Sequence, residues 1–352
     1  MNTITARAAV ADHRTSLIRN CWYVAALASD VGRTLLARKI LGINMVLYRT
    51  TDGQAVALHD RCVHRSFPLS RGRLDGDDLV CGYHGMQYRP DGTCSLIPTI
   101  ANTPASVRLP TFALVERGPL LWVWPGDQNA ANPADIPDLS WLDDAAWRNV
   151  GGAFHMRSNY VAMHENLLDQ THFTYLHAGS VGTPDYARAP LSMRVEGDQV
   201  WLRKELSASA APGIYGIPMG LENKLVDRRS DAGFRSPACH IAHATITDLA
   251  PPPAARSAYH VNIVHLITPE TQDSFHYWWF NSRDFALHDD AVSTFLRDAS
   301  MQAYHEDVDA LTWIHQRATD DALDFAEQSF GPDRPGLAMR RILHRLAEPA
   351  PA

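Results

Sequence analysis

Residues 60–86 read DRCVHRSFPLSRGRLDGDDLVCGYHGM, and this stretch decides the fold of the first part of the chain. It contains two short ligand pairs, Cys62-x-His64 and Cys81-x-x-His84, with sixteen residues between them. Each pair offers one thiolate and one imidazole, which are ligands for iron and for zinc. A structural zinc site usually groups its cysteines on one knuckle and its histidines on another. The alternating order found here therefore favours a two-metal centre over a zinc site.

The same order suits a [2Fe–2S] cluster of the Rieske type, in which one iron takes two thiolates and the other takes two imidazoles. Zinc is the main competing interpretation, and four unrelated buried residues are the other. The second alternative is disfavoured because Gly82 and Gly85 allow the tight turns that a cluster loop requires. The remaining cysteines, Cys21, Cys94 and Cys239, have no disulfide spacing, which indicates a reducing, cytoplasmic environment.

Length and composition predict a soluble protein of two domains. The 352 residues exceed one average domain, and 45% hydrophobic with 20% charged residues is ordinary for a globular chain. The net charge of −7 argues against nucleic-acid binding as the main function. No run is long and apolar enough for a membrane span, and the first twenty residues lack a secretory pattern.

Turn residues divide the first part of the chain into short strand-like runs. We predict strands at Ile40–Tyr48, Gln54–Leu58, Met86–Tyr88, Thr93–Leu96, Ala113–Glu116 and Leu120–Trp124. The polar segment Pro125–Pro137 marks a domain boundary. We therefore expect an antiparallel β domain with the cluster at residues 18–126, and a second domain at residues 127–350.

The second domain combines strand-like runs with helical patterns, which predicts an α+β fold with an antiparallel sheet. The predicted helices are Tyr160–Leu168 and Asp290–Gln316. The predicted strands are Leu191–Val195, Gln199–Leu206, His240–Leu249, Tyr259–Ile267 and Asp273–Phe280.

A group of polar residues interrupts the first of these helical patterns. Asn166, Asp169 and His172 follow each other at steps of three, which places them on one helical stripe. His177 comes five residues after His172, about 140° further around an ideal helix. Both imidazoles can reach one metal only if the helix ends or bulges between them. Two histidines with a carboxylate are typical of non-haem Fe(II) sites, although such histidines are also common as structural residues.

The long C-terminal helix supplies a candidate for the carboxylate. Asp307 lies on its apolar stripe, between Ala303 and Leu311. A carboxylate on a buried face needs a strong partner such as a metal, and a salt-bridged core residue is the alternative. Glu306 and Asp309 project from other faces, and we expect them to be solvated.

Together these two constellations resemble the oxygenase (α) component of the Rieske non-haem iron oxygenases. The run Asn166-x-x-Asp169-x-x-His172-x4-His177 matches the mononuclear-iron motif of that family at every position. Three further runs, Asn20–Ala26, Trp122–Asp127 and Thr268–Thr271, are similar to the vanillate O-demethylase and dicamba monooxygenase branch.

The resemblance implies a set of roles for these residues. Cys62, His64, Cys81 and His84 would hold the [2Fe–2S] cluster. His172, His177 and Asp307 would hold mononuclear Fe(II), with Asp169 and Asn166 beside it as catalytic residues.

The resemblance also implies an activity and its partners. The activity would be O2-dependent O-demethylation or methyl hydroxylation of a small aromatic compound, with ring dihydroxylation or aliphatic hydroxylation as the alternative. Electrons would come from a separate NAD(P)H-dependent reductase, with or without a ferredoxin, because no dinucleotide fingerprint is present. A homotrimer is implied in which the cluster of one subunit serves the iron of its neighbour.

The substrate pocket is the least determined part of the sequence. His265, on a predicted strand, and Asp298, near Asp307 on the predicted helix, are our candidates for substrate contacts. A structural role is an equally good interpretation of each.

Overall fold

A computed structural model describes residues 10–178, 180–320 and 327–347. The chain divides into two units. The small unit is Arg19–Ile136 together with Thr268–Thr271, and the large unit contains the other described residues. The predicted limits 18–126 and 127–350 stay predictions, and position 350 lies outside the described residues.

The small unit is built from three antiparallel sheets, of order β1-β10-β9, β2-β3-β4 and β5-β6-β7-β8. Their strands are β1 (Tyr23–Leu27), β2 (Leu36–Ile40), β3 (Ile43–Arg49), β4 (Ala55–His59), β5 (Arg73–Asp75), β6 (Asp78–Val80), β7 (Gln87–Tyr88), β8 (Cys94–Leu96), β9 (Ala113–Arg117) and β10 (Leu120–Trp124). The expected antiparallel β architecture is therefore present. A core that includes Tyr48, Leu58, Leu79 and Tyr88 also contains Cys62 and Cys81.

One predicted strand of this unit is wrong. Ile40–Tyr48 is not continuous, because the chain reverses at Leu41 and Gly42 and Ile40 pairs with Ile43. Both turn residues have positive φ, 50° and 77°, as a two-residue hairpin turn with the right twist requires. Asn and Asp are the usual non-glycine residues in such turns, so the Leu-Gly pair was not recognised as one.

The large unit contains a seven-stranded antiparallel sheet of order β11-β17-β16-β15-β14-β13-β12. Its strands are β11 (Arg148–Met156), β12 (Leu191–Glu196), β13 (Gln199–Ala210), β14 (Leu225–Ser236), β15 (Cys239–Asp248), β16 (Ala258–Pro269) and β17 (Phe275–Arg283). Its α-helices are α1 (Tyr160–Leu168), α2 (Gly213–Met219), α3 (Asp290–Asp320) and α4 (Arg334–Ala347). The α+β class is confirmed, while β11, β14, α2 and α4 were not predicted.

Helix α3 buries a stripe spaced by three and four residues, as an amphipathic helix does. The buried residues are Leu296, Ser300, Ala303, Asp307 and Leu311, so Asp307 and its stripe neighbours Ala303 and Leu311 are buried as the sequence indicated. Strand β14 escaped prediction because charged and small residues interrupt its apolar alternation (LVDRRSDAGFRS). None of the described helices combines the length and the apolarity that crossing a membrane requires.

Candidate metal centres

In the small unit, two loops of matching geometry present the predicted cluster ligands. Cys62 lies in the loop after β4, and Cys81 lies in the loop between β6 and β7. In each loop the residue four positions later has positive φ and donates its N–H to the cysteine carbonyl. These bonds are Ser66 N–H to Cys62 O at 2.9 Å and Gly85 N–H to Cys81 O at 3.0 Å. The repeated geometry turns each cysteine and its following histidine toward one point.

The donor set at that point fits a Rieske cluster. The Cys62 and Cys81 side chains are buried in the core of the small unit, whereas His64 and His84 are exposed. The Nδ1 atoms of the two histidines lie 3.2 Å apart. Two nitrogens that each bind one metal at about 2.1 Å lie at a similar separation. The thiols on the inner side and the imidazoles on the outer side therefore match the two irons of such a cluster.

In the large unit, helix α1 ends before the predicted histidines. Asp169 is its C-terminal cap, with extended backbone (φ −90°, ψ 104°), and His172 begins a separate short 3₁₀ turn. The expected single helical stripe from Asn166 to His172 is therefore not formed. The end of helix α1 before His172 meets the condition that the motif sets, because it lets two histidines five residues apart face the same point.

That point is shared with Asp307 of helix α3. Ligand atoms of His172, His177 and Asp307 all lie within 4.8 Å of one another. His177 Nε2 lies 3.1 Å and His172 Nε2 lies 3.6 Å from the same Asp307 Oδ1. Both ring nitrogens of His172 are buried without a hydrogen-bond partner in the described part of the chain. Buried imidazole nitrogens without a hydrogen bond, next to a carboxylate, are what a metal-binding site presents to its ion. Two histidines and one carboxylate suit non-haem iron.

Two neighbours orient these side chains, and one of them was missed. Glu306 Oε2 lies 2.7 Å from His177 Nδ1, so the expectation that Glu306 is solvated was wrong. In the sequence, only the position of Glu306 next to Asp307 pointed to a role for it at this site. Asn166 donates from Nδ2 to Asp307 Oδ1 at 3.1 Å. Burial lowers the pKa of His177, but its bonds to Asp307 and Glu306 outweigh that effect and leave this pKa raised.

Asp169 lies beside the group without belonging to it. Its Oδ1 accepts bonds from the backbone N–H and the hydroxyl of Thr171, at 2.7 and 2.6 Å. Its Oδ2 is 3.6 Å from His172 Nδ1. Burial raises the pKa of Asp169, but the interactions with His172 and Thr171 outweigh it and lower the pKa to about 2. The carboxylate is therefore ionised at neutral pH.

A cavity of about 120 Å³ opens beside His172, His177 and Asp307, which form part of its wall. An apolar cavity of roughly 150 Å³ holds one benzene molecule, so the volume of this cavity is of the same order as that needed for a single aromatic ring. His265 lines the cavity, is buried, and lies with Nδ1 2.6 Å from the Tyr277 hydroxyl.

Asp298 is not part of this site. Its side chain is 65% exposed and pairs with Arg297, and it does not line the cavity. Asp307 comes nine positions after Asp298, which is about two and a half helical turns. The two side chains therefore project from opposite sides of α3. The predicted substrate contact is corrected accordingly.

Comparisons with known proteins agree with both centres. Residues 21–113 match the Rieske [2Fe–2S] domain, and residues 156–349 match the vanillate O-demethylase oxygenase C-terminal domain. The vanillate O-demethylase oxygenase subunit of a Pseudomonas strain is 32% identical over 93% of this chain and 94% of its own. A putative toluene-4-sulfonate monooxygenase iron–sulfur subunit of Comamonas testosteroni is 35% identical over 83% of this chain and 86% of its own.

Solved structures extend the match to the fold. Dicamba monooxygenase bound to 3,6-dichlorosalicylic acid is 31% identical and superposes with a TM-score of 0.88, covering 94% of this chain and 98% of its own. The same enzyme with non-haem iron and dicamba gives a TM-score of 0.81 at 30% identity, with equal coverage. The cofactors of this chain are a Rieske [2Fe–2S] cluster and mononuclear non-haem iron. The chain belongs to the Rieske oxygenases, as an oxygenase component of the group that contains the vanillate and dicamba O-demethylases.

Proposed function

We propose that this chain oxidises a methyl or methoxy group of a small aromatic compound with O2. The observation that carries the proposal is the cavity of single-ring size whose wall contains His172, His177 and Asp307. A substrate bound there has its reacting carbon next to the metal ligands, which is what oxidation at one position requires. Electrons come from a separate NAD(P)H-dependent reductase, with or without a ferredoxin.

We assign Fe(II) to His172, His177 and Asp307, and the cluster to Cys62, His64, Cys81 and His84. When bound, the cluster supplies single electrons and the iron supplies O2 activation, while the protein positions both. One oxygen atom of O2 would enter a methoxy C–H bond to give a hemiacetal, while the other would leave as water with two electrons from the reductase and two protons. The hemiacetal collapses to a phenol and formaldehyde. Insertion into a ring methyl group produces an alcohol.

The carboxylates next to the two histidines favour the tautomer with the proton on Nδ1, which leaves Nε2 free to bind a metal. Glu306 accepts from Nδ1–H of His177, which leaves the lone pair of Nε2 facing Asp307. Asp169 lies on the Nδ1 side of His172 and favours the same tautomer there. Asn166 donates to one oxygen of Asp307 and so restrains the carboxylate. His265, held by Tyr277, is our candidate for a hydrogen bond to the substrate.

We further propose a homotrimer in which Asp169 faces the partner subunit's His84. The support is that His84 is exposed and that 35% of the Asp169 side chain is exposed while its carboxylate is ionised. Mixed trimers test this proposal. Chains with Cys62→Ser lack the cluster and chains with Asp307→Ala lack the iron, so neither works alone. Activity on mixing supports transfer between subunits, and its absence contradicts it.

The activity itself is tested with a surrogate reductase, NADH, O2 and a panel of methoxy- and methyl-substituted aromatics. Formaldehyde or a benzylic alcohol formed in step with O2 uptake supports the proposal. The Asp307→Ala variant should lose this product, while Asp309→Ala, at an exposed position of the same helix, should retain it. A cis-diol or a hydroxylated ring without either product would assign ring oxidation instead.

A further inference from the structure

Arg228 is a buried cation in the cavity wall that the proposed chemistry does not use. It lies on β14, is 5% exposed and lines the cavity. Among the cavity-lining residues in the described part of the chain, it is the only lysine or arginine. Buried arginines are normally paired with acidic groups, because an isolated charge away from water is costly.

The direct contacts of Arg228 are with uncharged groups. Its Nη1 donates to the Thr183 hydroxyl at 3.0 Å, and its guanidinium lies over the Tyr186 ring, 5.0 Å from the centroid. No carboxylate of the described residues lies within ion-pair distance of it. A guanidinium carries five N–H donors, so one hydrogen bond leaves most of them available. Burial lowers the pKa of Arg228, and the attraction of Tyr186, Tyr215 and Asp185 offsets only part of that effect.

The acidic residues of the cavity wall contact side chains other than Arg228. Asp231 is bound by Arg203 at 2.5 Å and by Arg229 at 2.8 Å. Asp307 faces the two histidines of the iron site. Arg228 is thus the one charged side chain of this wall that forms no close ion pair among the described residues, although Asp185 attracts it from a greater distance.

A floor of small side chains begins next to Arg228. Ser230 and Ala232 follow it at steps of two on β14, so they share its face of the sheet. Their partners on β15 are Ala244 and Ala242, and all four line the cavity. Larger side chains here would fill the space, so this floor leaves room for a flat ring between Arg228 and the rest of the site.

We propose that Arg228 binds the anionic group of an aromatic substrate, a carboxylate or a sulfonate, while the ring lies on the small-residue floor. Both groups present paired oxygens that suit the planar donor fork of arginine. The inference rests on the proposed function, because it names the substrate class of the same cavity.

Calorimetric titration of the holoenzyme tests this assignment. The probes are the three methoxybenzoate isomers and toluene-4-sulfonate, each compared with its neutral amide or sulfonamide. We expect at least one anion to bind ten- to a hundredfold more tightly than its neutral counterpart, as a charged hydrogen-bonded pair predicts. The group that shows the difference, carboxylate or sulfonate, identifies the class.

Variants assign the preference to Arg228. Arg228→Met should bring the affinity of the anion to that of its neutral counterpart and leave the neutral compound unchanged. Arg228→Lys should retain part of the preference and covers the case in which the Met variant does not fold. Arg297→Gln, which removes an exposed cation of α3, is the matched control and should change neither affinity.

Two results would overturn the inference. One is a wild-type protein that binds no anion more tightly than its neutral counterpart. The other is an Arg228→Met variant that loses affinity equally for both, which is what a merely structural residue would do. Methyl or methoxy oxidation of the neutral compounds would leave the proposed function standing in either case, so the two failures are distinguishable.

Discussion

Glu306 offers the sharpest test of the site, because only the structure assigns it a role. Its carboxylate lies 2.7 Å from His177 Nδ1, and His177 is 3% exposed. Removing such a partner typically weakens metal binding ten- to a hundredfold, or about 1.4 to 2.8 kcal/mol. The Glu306 side chain is 30% exposed, so solvent screens part of its charge and the lower half of that range applies. We expect Glu306→Ala to weaken Fe(II) binding roughly ten- to thirtyfold.

The measurement is an Fe(II) titration against a chelator of known affinity, on protein whose mononuclear site has been emptied. The [2Fe–2S] spectrum should not change, because the cluster loops belong to the small unit. Glu306→Gln should lie between wild type and Glu306→Ala, since an amide oxygen accepts the same hydrogen bond without the charge. Asp309→Ala removes an exposed carboxylate three residues away on the same helix and is the matched control.

The reasoning fails if Glu306→Ala binds Fe(II) as tightly as wild type while His177→Ala does not. In that case the contact between Glu306 and His177 does not strengthen Fe(II) binding by His177. Equal losses in Glu306→Ala and Asp309→Ala would also refute it, because they would indicate a general charge effect.

Three other outcomes can be measured directly. Asp169→Asn should keep the cluster spectrum and most of the bound Fe(II) yet lose nearly all coupled turnover, and wild-type turnover would remove Asp169 from the mechanism. The Tyr88 hydroxyl lies 3.2 Å from Cys62 Sγ. Tyr88→Phe should therefore lower the cluster potential by about 50 mV in a spectroelectrochemical titration, whereas Tyr48→Phe should not. Burial lowers the pKa of His265 to about 4. Between about pH 4 and pH 6.5 its imidazole is therefore neutral in the folded protein but protonated in the unfolded chain. Stability should fall as the pH drops from about 6.5 to 4, and in His265→Gln this fall should be shallower by about 1.4 kcal/mol per pH unit; parallel unfolding curves would contradict it.

Local chemistry explains what could be predicted from the residues alone. The spacing of Cys62, His64, Cys81 and His84 indicated a cluster because each short loop closes on itself through bonds between near neighbours. Helix α1 was predicted with its observed bounds, and the apolar period of α3 placed Asp307 on the buried stripe. These features depend on backbone geometry and side-chain period over a few residues.

Tertiary structure decided what brings distant segments together. Glu306 and His177 are 129 residues apart, and nothing local distinguishes Glu306 from a solvated carboxylate. Arg228 went unnoticed because β14 faces a cavity at that point, so its inward positions carry polar and small residues instead of an apolar alternation. The sequence by itself determined the ligand types, the fold class and the family. The register of seven strands and the packing of α3 determined which side chains share the cavity, because such contacts depend on the whole sheet and not on any single segment.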